Sequence, residues 1–395
     1  MLAPVTFDYS IRLSVEAEPG ASLVLALLPA RTHQQQLATE SLRVAGATAH
    51  SAFTDATTAT RHLHVAARGG PLEVELRARP RLLQAAVDGA GLHRDARAEP
   101  LAAPESLRFL LPSRYCPSDR LAAVAEREFL PIDPPFERAR AIDRFVRRHV
   151  RLRAEDAPTP GLVSLDAHAD APHAVEVLHR AEGTPRDLAH LAIALCRASR
   201  LPARYVTAVP FGLPDATDVH PWVEVLVGEA WVAFEPSRRV PRTALLRLGT
   251  GRDAADVPLA IAHGAVAGTR IAWTVECPDT TDAVLRERDR GAEALCCATL
   301  GSLAEATRWH QEARLAARAP RRGDGGDGGD EGEPSRASPS RLAAAAARAA
   351  ATAPRGGARV FAFPSASSPP SASAPSGPPS RGAGEAAHGS RIHPV

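Results

Sequence analysis

The chain has 395 residues, enough for more than one domain, but aromatic residues make up only 4% and 35 prolines accompany 28 glycines, which indicates a globular part joined to an unfolded part. The 47 basic and 45 acidic side chains leave a formal net charge of +2, which is too balanced to indicate a nucleic-acid partner. Because the N-terminus lacks a secretory pattern and the strongest apolar run, residues 23–28, is too short to cross a bilayer, we expect a cytoplasmic protein with no membrane partner.

Residues 1–104 are predicted to form a small antiparallel β-domain. Apolar and polar residues alternate with a period of two from residue 5 to about residue 83, as in FDYSIRLSVEA (7–17) and PLEVELRARP (71–80). Alternation of this kind is typical of half-buried strands, and the turns between them are rich in Pro, Gly and Thr. We expect these strands to pack as a β-sandwich.

Residues 105–275 are predicted to form a second domain in which a helix packs on an antiparallel sheet. The stretch PPFERARAIDRFVRRHVRL (134–152) has apolar residues at helical spacing, and residues 184–200 form the best-defined helix, which ends before Pro202. ARYVTAVPF (203–211) is predicted to be a strand, and VHPWVEVLVGEAWVAFEPS (219–237) a hairpin that turns at Gly228 and Glu229. The fold class is therefore α+β.

The remaining residues are predicted to contribute no further globular domain. Residues 276–319 have a helical pattern interrupted near Gly291 and Gly301, and we expect a helical extension there. Residues 320–395 consist of Gly/Asp, Ala-rich and Pro/Ser-rich tracts, which cannot bury enough apolar area to offset their ordering entropy. We expect this segment to be a disordered tail.

His220 and Glu235 are the candidate catalytic residues of the hairpin. If it turns at Gly228 and Glu229, Trp222 lies opposite Glu235, and His220 becomes a diagonal neighbour of Glu235 on the same face of the sheet. A carboxylate that holds one imidazole nitrogen, with the other directed at a helix N-terminus, is the arrangement that activates a thiol. A buried histidine satisfied by an acid remains the alternative.

Several ordered blocks of this sequence resemble the bacterial transglutaminase-like family, over residues 6 to 273. That family combines an N-terminal β-domain with a papain-like core, and this resemblance implies the same architecture here. The most specific blocks are LLPSRYCPSDRL (110–121), RDLAHLAIALCRASRLPARYV (186–206), the His-x-Trp-x-Glu unit at 220–224, FEPSR (234–238) and PRTALLRLGTGRDAADV (241–257).

Pro185 stands where the resemblance places the nucleophile. The family's helix block begins Gly-Val-Cys-Arg-Asp, and here the same positions read Gly-Thr-Pro-Arg-Asp (183–187). By position, the base corresponds to His220 and the orienting acid to Glu235, where the family usually has Asp. Thr184 as N-cap, Pro185 as the first helical residue and Asp187 two positions later fit a stable helix start.

We therefore predict a catalytically inactive transglutaminase-like protein whose cleft, lined by Thr184, Asp187 and Trp222, binds a peptide or protein. Neither a metal nor a cofactor is expected. One alternative is an active amide or ester hydrolase or acyl transferase that uses His220 and Glu235. Another is a scaffold that acts through the C-terminal helical segment and tail. The resemblance also implies neighbours of the ATP-grasp and α-E helical types.

Overall fold

The computed structural model describes residues 2–88, 92, 104–153, 171–213 and 219–299. A strand-rich N-terminal part is followed by a core of helices and strands, so the α+β class predicted from the sequence is confirmed. The strands are β1 (Val5–Thr6), β2 (Asp8–Ala17), β3 (Ser22–Leu28), β4 (Gln35–Ala45), β5 (Ala47–Thr54), β6 (Arg61–Ala67), β7 (Gly70–Leu82), β8 (Ala85–Val87), β9 (Arg151–Leu152), β10 (Glu182–Gly183), β11 (Ala203–Pro210), β12 (His220–Val227), β13 (Ala230–Phe234), β14 (Leu245–Gly251), β15 (Ala260–His263), β16 (Val266–Glu276) and β17 (Ala294–Thr299). The helices are α1 (Pro104–Leu107), α2 (Ala122–Glu128), α3 (Pro135–His149), α4 (Ala174–Arg180), α5 (Pro185–Ala198) and α6 (Asp282–Gly291).

The N-terminal part consists of two sheets that enclose one apolar core. In the first sheet β2 lies between β7 and β16, and β4 pairs with the other side of β7; the second sheet has the order β15-β3-β6-β5. Alternate residues of β2, including Tyr9 and Leu13, point inwards and share a core with Leu63 and Val65 of β6. The period-two pattern of the sequence therefore produces two half-buried sheets whose inner faces pack together.

The core domain is built on a six-stranded sheet with the order β14-β11-β12-β13-β17-β8. Helix α5 packs against β11 and β12, and α3 and α4 cover the helix from other sides. All eight residues of β11 and of β12 are buried. Helix α5 is buried nearly all round, which is why its sequence carries few charges. No helix in the described parts of the chain combines the length and the hydropathy that crossing a membrane would require.

Two segments depart from the predicted domain boundaries. Strands β15 and β16 pair with β3 and β2 of the N-terminal sheets, although residues 260–275 were assigned to the core. In the predicted helical extension, β17 takes the place of a helix because its apolar residues pair with β13 and bury Leu295 and Cys296. Helix α6 precedes it as predicted, whereas the proposed tail lies outside the described residues.

Gln35 joins the N-terminal sheets to the core sheet. Its side-chain amide donates to the carbonyls of Ala30 (2.7 Å) and Arg247 (2.8 Å), and its Oε1 accepts from the Arg247 N–H at 2.9 Å. The Gln35 side chain is buried, so the backbone groups of Ala30 and Arg247 that it contacts form these hydrogen bonds in place of bonds to water. The side-chain amide of Gln35 thereby links β14 to the segment that follows β3 in the N-terminal part.

We expect Gln35→Leu to lower the free energy of unfolding by about 2–3 kcal/mol, because it leaves the Arg247 N–H and the Ala30 carbonyl buried without this partner. Chemical denaturation measures the loss. Gln36→Leu is the matched control, since Gln36 is the exposed neighbour, and it should change stability by less than about 0.5 kcal/mol. Equal losses in the two variants would contradict this role of Gln35.

Candidate functional site

The start of helix α5 is a closed capping box around Pro185. Thr184 is the N-cap: its hydroxyl accepts from the Asp187 N–H at 3.3 Å, and Asp187 Oδ2 accepts from the Thr184 N–H at 3.0 Å. Pro185 is the first helical residue and is buried. Gly183 precedes the cap, and a Cβ there would lie only 2.9 Å from the Asp187 Cβ, so the chain must have glycine at this close approach. The predicted cap is therefore present in full.

The helix start and His220 lie toward the same end of the core sheet. Residues 199–202 connect α5 to β11, and Arg197 near the helix end donates to the Ala203 carbonyl that begins β11. Because α5 packs on β11 after so short a connection, the helix runs back along the strand. Its 14 residues span about 21 Å, close to the length of the eight-residue strand. Pro185 thus lies toward the end of β11 where Ala208 pairs with His220.

His220 and Glu235 form a buried hydrogen-bonded pair. The hairpin has the predicted register, with Val227 opposite Ala230 and Val223 opposite Phe234. His220 Nε2 lies 3.0 Å from Glu235 Oε1, and both side chains are less than a tenth exposed. Glu235 Oε1 also accepts from the Ser237 N–H (3.0 Å) and from the Ser237 hydroxyl. The carboxylate therefore holds one ring nitrogen, which leaves Nδ1 as the nitrogen available for chemistry or for a ligand.

The other two residues of the His-x-Trp-x-Glu unit belong to a separate buried ion cluster. Glu224 Oε2 accepts from Arg204 Nε at 2.7 Å, its Oε1 accepts from Arg247 Nη2, and Trp222 Nε1 donates to Oε1 at 3.1 Å. The Arg204 guanidinium carbon lies 3.8 Å from the centroid of the Trp231 ring. The sequence interpretation missed both arginines, although a charged residue within the apolar strand sequence ARYVTAV (203–209) was a signal for Arg204.

The charges of this cluster, one carboxylate and two guanidinium groups, shift the pKa values of Glu224 and Arg204. Burial alone would raise the pKa of Glu224, but Arg247 and Arg204 together hold it below its ordinary value. Burial lowers the pKa of Arg204 to about 10, against the opposing effect of Glu224. Both groups are therefore charged at neutral pH, and the opposite charge of each offsets the free-energy cost of burying the other.

The three predicted cleft residues are all buried and bonded within the protein. Thr184 and Asp187 bond to each other across the helix start, whereas Trp222 donates to Glu224. Their exposed fractions are 6%, 1% and 4%. They therefore support the walls of the site and offer little surface for direct contact with a ligand.

Four of the cysteines have pKa values raised above the ordinary value, the opposite of an activated thiol. Burial raises the pKa of Cys116 and of Cys196 to about 12, and it raises the pKa of Cys277 and Cys297 as well. Cys196 lies on α5 eleven residues beyond Pro185, about 16 Å along the axis. In the part of the chain that the structure describes, no group of three His, Cys, Asp or Glu residues is arranged to hold a metal ion.

Comparison with known proteins assigns the region around this site to a family. The model of the transglutaminase-like superfamily matches residues 123–236, which include the α5 start, His220 and Glu235. Residues 123–236 form a transglutaminase-like superfamily domain. No curated protein matches the chain.

Solved structures provide a second comparison. The crystal structure of a "putative cysteine protease" from Cytophaga hutchinsonii is 25% identical, with a TM-score of 0.63 over 74% of this chain and 98% of that one. The periplasmic domain of TgpA from Pseudomonas aeruginosa (16% identity, TM-score 0.28, 58% and 87% coverage) and a "putative protease" from Parabacteroides distasonis (11%, 0.24, 55% and 41%) match far less well. The first match supports a transglutaminase-like, cysteine-protease-like fold that extends through the N-terminal sheets.

We expect Glu224→Gln to destabilise the transglutaminase-like domain by about 3–5 kcal/mol, because it leaves Arg204 and Arg247 buried without a counter-charge. Urea unfolding at pH 7 measures this effect. Glu229→Gln, in the exposed hairpin turn, removes the same charge and should cost less than about 0.5 kcal/mol.

The difference between wild type and Glu224→Gln should also depend on pH. Since the folded pKa of Glu224 is lowered, its contribution to stability is complete above its ordinary value of 4.5 and is lost as the pH falls through the lower folded pKa. Unfolding curves collected down to acidic pH should therefore converge for the two proteins. A difference that stays constant with pH would contradict the ionised form of Glu224.

Proposed function

We propose that the transglutaminase-like domain of this chain is catalytically silent and that its cleft binds a peptide or protein. The observation that carries the proposal is Pro185, an imino acid in the first turn of α5. The resemblance of the sequence around it to the family's helix block places the family's nucleophile at this position. A proline side chain has no group that can attack a carbonyl. The remaining parts of the site, His220 and Glu235, therefore have no thiol to deprotonate.

Pro185 removes a second catalytic component along with the sulfur. In papain-like sites the N–H of the nucleophile helps to stabilise the oxyanion, and proline has no N–H. Loss of one such donor costs about 2.7–4 kcal/mol of transition-state stabilisation in other enzymes. The buried cysteines, whose pKa values are raised, do not supply a substitute.

The hydrogen bonding of the His220–Glu235 pair supports a retained binding role. Ser237 fixes the carboxylate with two hydrogen bonds, although Glu235 Oε2 is buried without a hydrogen-bond partner among the described residues. An unsatisfied buried oxygen costs free energy that a purely structural pair does not require. A ligand that reaches this pair with a donor group would recover part of that cost. The expected cytoplasmic location stays a prediction.

We expect the wild-type chain to form no adduct at the helix start with an iodoacetamide probe, and Pro185→Cys to gain rapid labelling there. The helix N-terminus and His220 both favour a thiolate at that position. Adding His220→Ala to Pro185→Cys should slow labelling roughly 100-fold, the size of a general-base contribution. Peptide mapping by mass spectrometry measures the rates.

Pro131→Cys, in an exposed loop, is the matched control, and its labelling should not depend on His220. A labelling rate of Pro185→Cys that does not change when His220→Ala is added would contradict the proposed geometry of the site. Turnover of amide or ester substrates by the wild-type chain that disappears in His220→Ala would overturn silence and establish the hydrolase alternative.

Ligand binding at the cleft is tested with a displayed random-peptide library selected on the full chain. Arg238 is exposed, and its N–H bonds to the Glu235 carbonyl at 3.3 Å, so Arg238→Glu alters the rim without removing core packing. We expect selected peptides to bind this variant at least about 10-fold more weakly, a change of 1.4 kcal/mol, as measured by calorimetry. Arg43→Glu, on exposed β4, should bind them like wild type. Peptides that bind all three proteins equally would place recognition elsewhere.

A further inference from the structure

Strand β5 has an outer edge that none of the described strands covers. It is the last strand of the sheet β15-β3-β6-β5 and pairs only with β6 in the described parts of the chain. Its residues 48–53 are all exposed, on both faces, and Phe53 is 52% exposed while its ring stacks on His62 at 5.0 Å. β5 therefore extends beyond the cover of the facing sheet and presents a row of backbone N–H and C=O groups to solvent.

The other described sheet edges are short, buried or charged, whereas β5 has one register shift, between Ala47 and Ala49, and beyond it a regular, uncharged segment at 49–54. β15 and β8 have only four and three residues, and β14 is buried throughout. β4 has Glu40 and Arg43 and an irregular register, and β16 has Arg270 and a bulge. Short length, charge and bulges are the devices that prevent edge-to-edge pairing. The β5 sequence ATAHSAFT contains no acidic residue, arginine or proline over eight residues.

We propose that β5 is the surface through which two copies of this chain pair, edge to edge and antiparallel. The strand is self-complementary, because it has no charge that a second copy would repel and its side chains are mostly small. A twofold axis at Ser51 keeps the two faces of the sheet continuous, since it pairs residues of equal parity. It places Phe53 opposite the Ala49 of the second copy, and His50 opposite its Ala52.

This pairing joins two four-stranded sheets into one of eight strands. Each copy contributes the outer-edge N–H and C=O groups of the regular segment 49–54, which is about 20 Å long. The exposed ring of Phe53 then has a neighbour on both sides, His62 of its own sheet and the small side chain across the axis. The proposal does not depend on the proposed function of the His220–Glu235 site, which lies on another sheet.

Sedimentation equilibrium of the full chain tests the proposal. We expect wild type to associate with increasing concentration toward twice the chain mass of 41.7 kDa. Ser51→Lys places two like charges at the axis and should give a monomer at every concentration. Ser41→Lys introduces the same side chain on exposed β4 and should associate like wild type. Circular dichroism melting establishes that each variant is folded.

A cross-linking experiment decides the result even if Ser51→Lys does not fold. Antiparallel neighbours have Cα atoms about 4.5–5.5 Å apart, within the range of a disulfide. Oxidised Ser51→Cys should therefore give a covalent dimer that a reductant reverses, and Ser41→Cys should not. A wild-type chain that stays monomeric, a dimer that survives in Ser51→Lys, or a covalent dimer of Ser41→Cys but not of Ser51→Cys would overturn the proposal.

Discussion

The burial of helix α5 is the constraint on which the site depends. Its apolar residues fill the space between the core sheet and the covering helices, so its first turn must satisfy its backbone groups inside the protein. Thr184 and Asp187 do this with a reciprocal pair of bonds. The N–H of the first helical residue has no intrahelical acceptor in any case, so proline at position 185 costs the helix nothing. Proline at this residue is thus compatible with both the capping and the packing of the helix.

Strand β12 divides its polar residues between two tasks. His220, at the start of the strand, bonds to Glu235, whereas Glu224, four residues further, is enclosed by Arg204 and Arg247. Both groups share one face of the sheet, and Val223 and Val225 point to the opposite face, into the core that α5 shares. The ion cluster fixes the middle of the sheet, and it therefore positions the strand end at which His220 meets its carboxylate.

The sequence predicted the local parts of this arrangement well, because each depends on short-range rules. The turn at Gly228 and Glu229 determines the register of the hairpin, and this register brings His220 next to Glu235. Thr184 and Asp187, on either side of Pro185, form the helix cap. The sequence did not predict the return of β15 and β16 to the N-terminal sheets, nor β17 in the core sheet. The pairings of β15 and β16 join residues about 240 to 270 positions apart, and a period-two pattern does not show which strand is the partner. The pairing of β17 with β13 and the contacts of Arg204 and Arg247 with Glu224 span shorter distances, but they too depend on which strands are neighbours in the sheet.

The geometry around Glu235 indicates which part of the site has changed and which has not. Glu has one methylene more than the aspartate usual in the family, and the two bonds from Ser237 hold its carboxylate at hydrogen-bonding distance from His220 nonetheless. A side chain of different length therefore performs the same orientation. At the start of α5 the Thr184 hydroxyl is engaged in the helix cap, and burial raises the pKa of Cys116 and Cys196, so none of these three groups is an activated nucleophile. The imidazole of His220 is therefore held by Glu235 toward the end of the sheet at which α5 begins with a proline. An oriented imidazole without a thiol at the neighbouring helix start is the combination on which the proposed ligand-binding role rests.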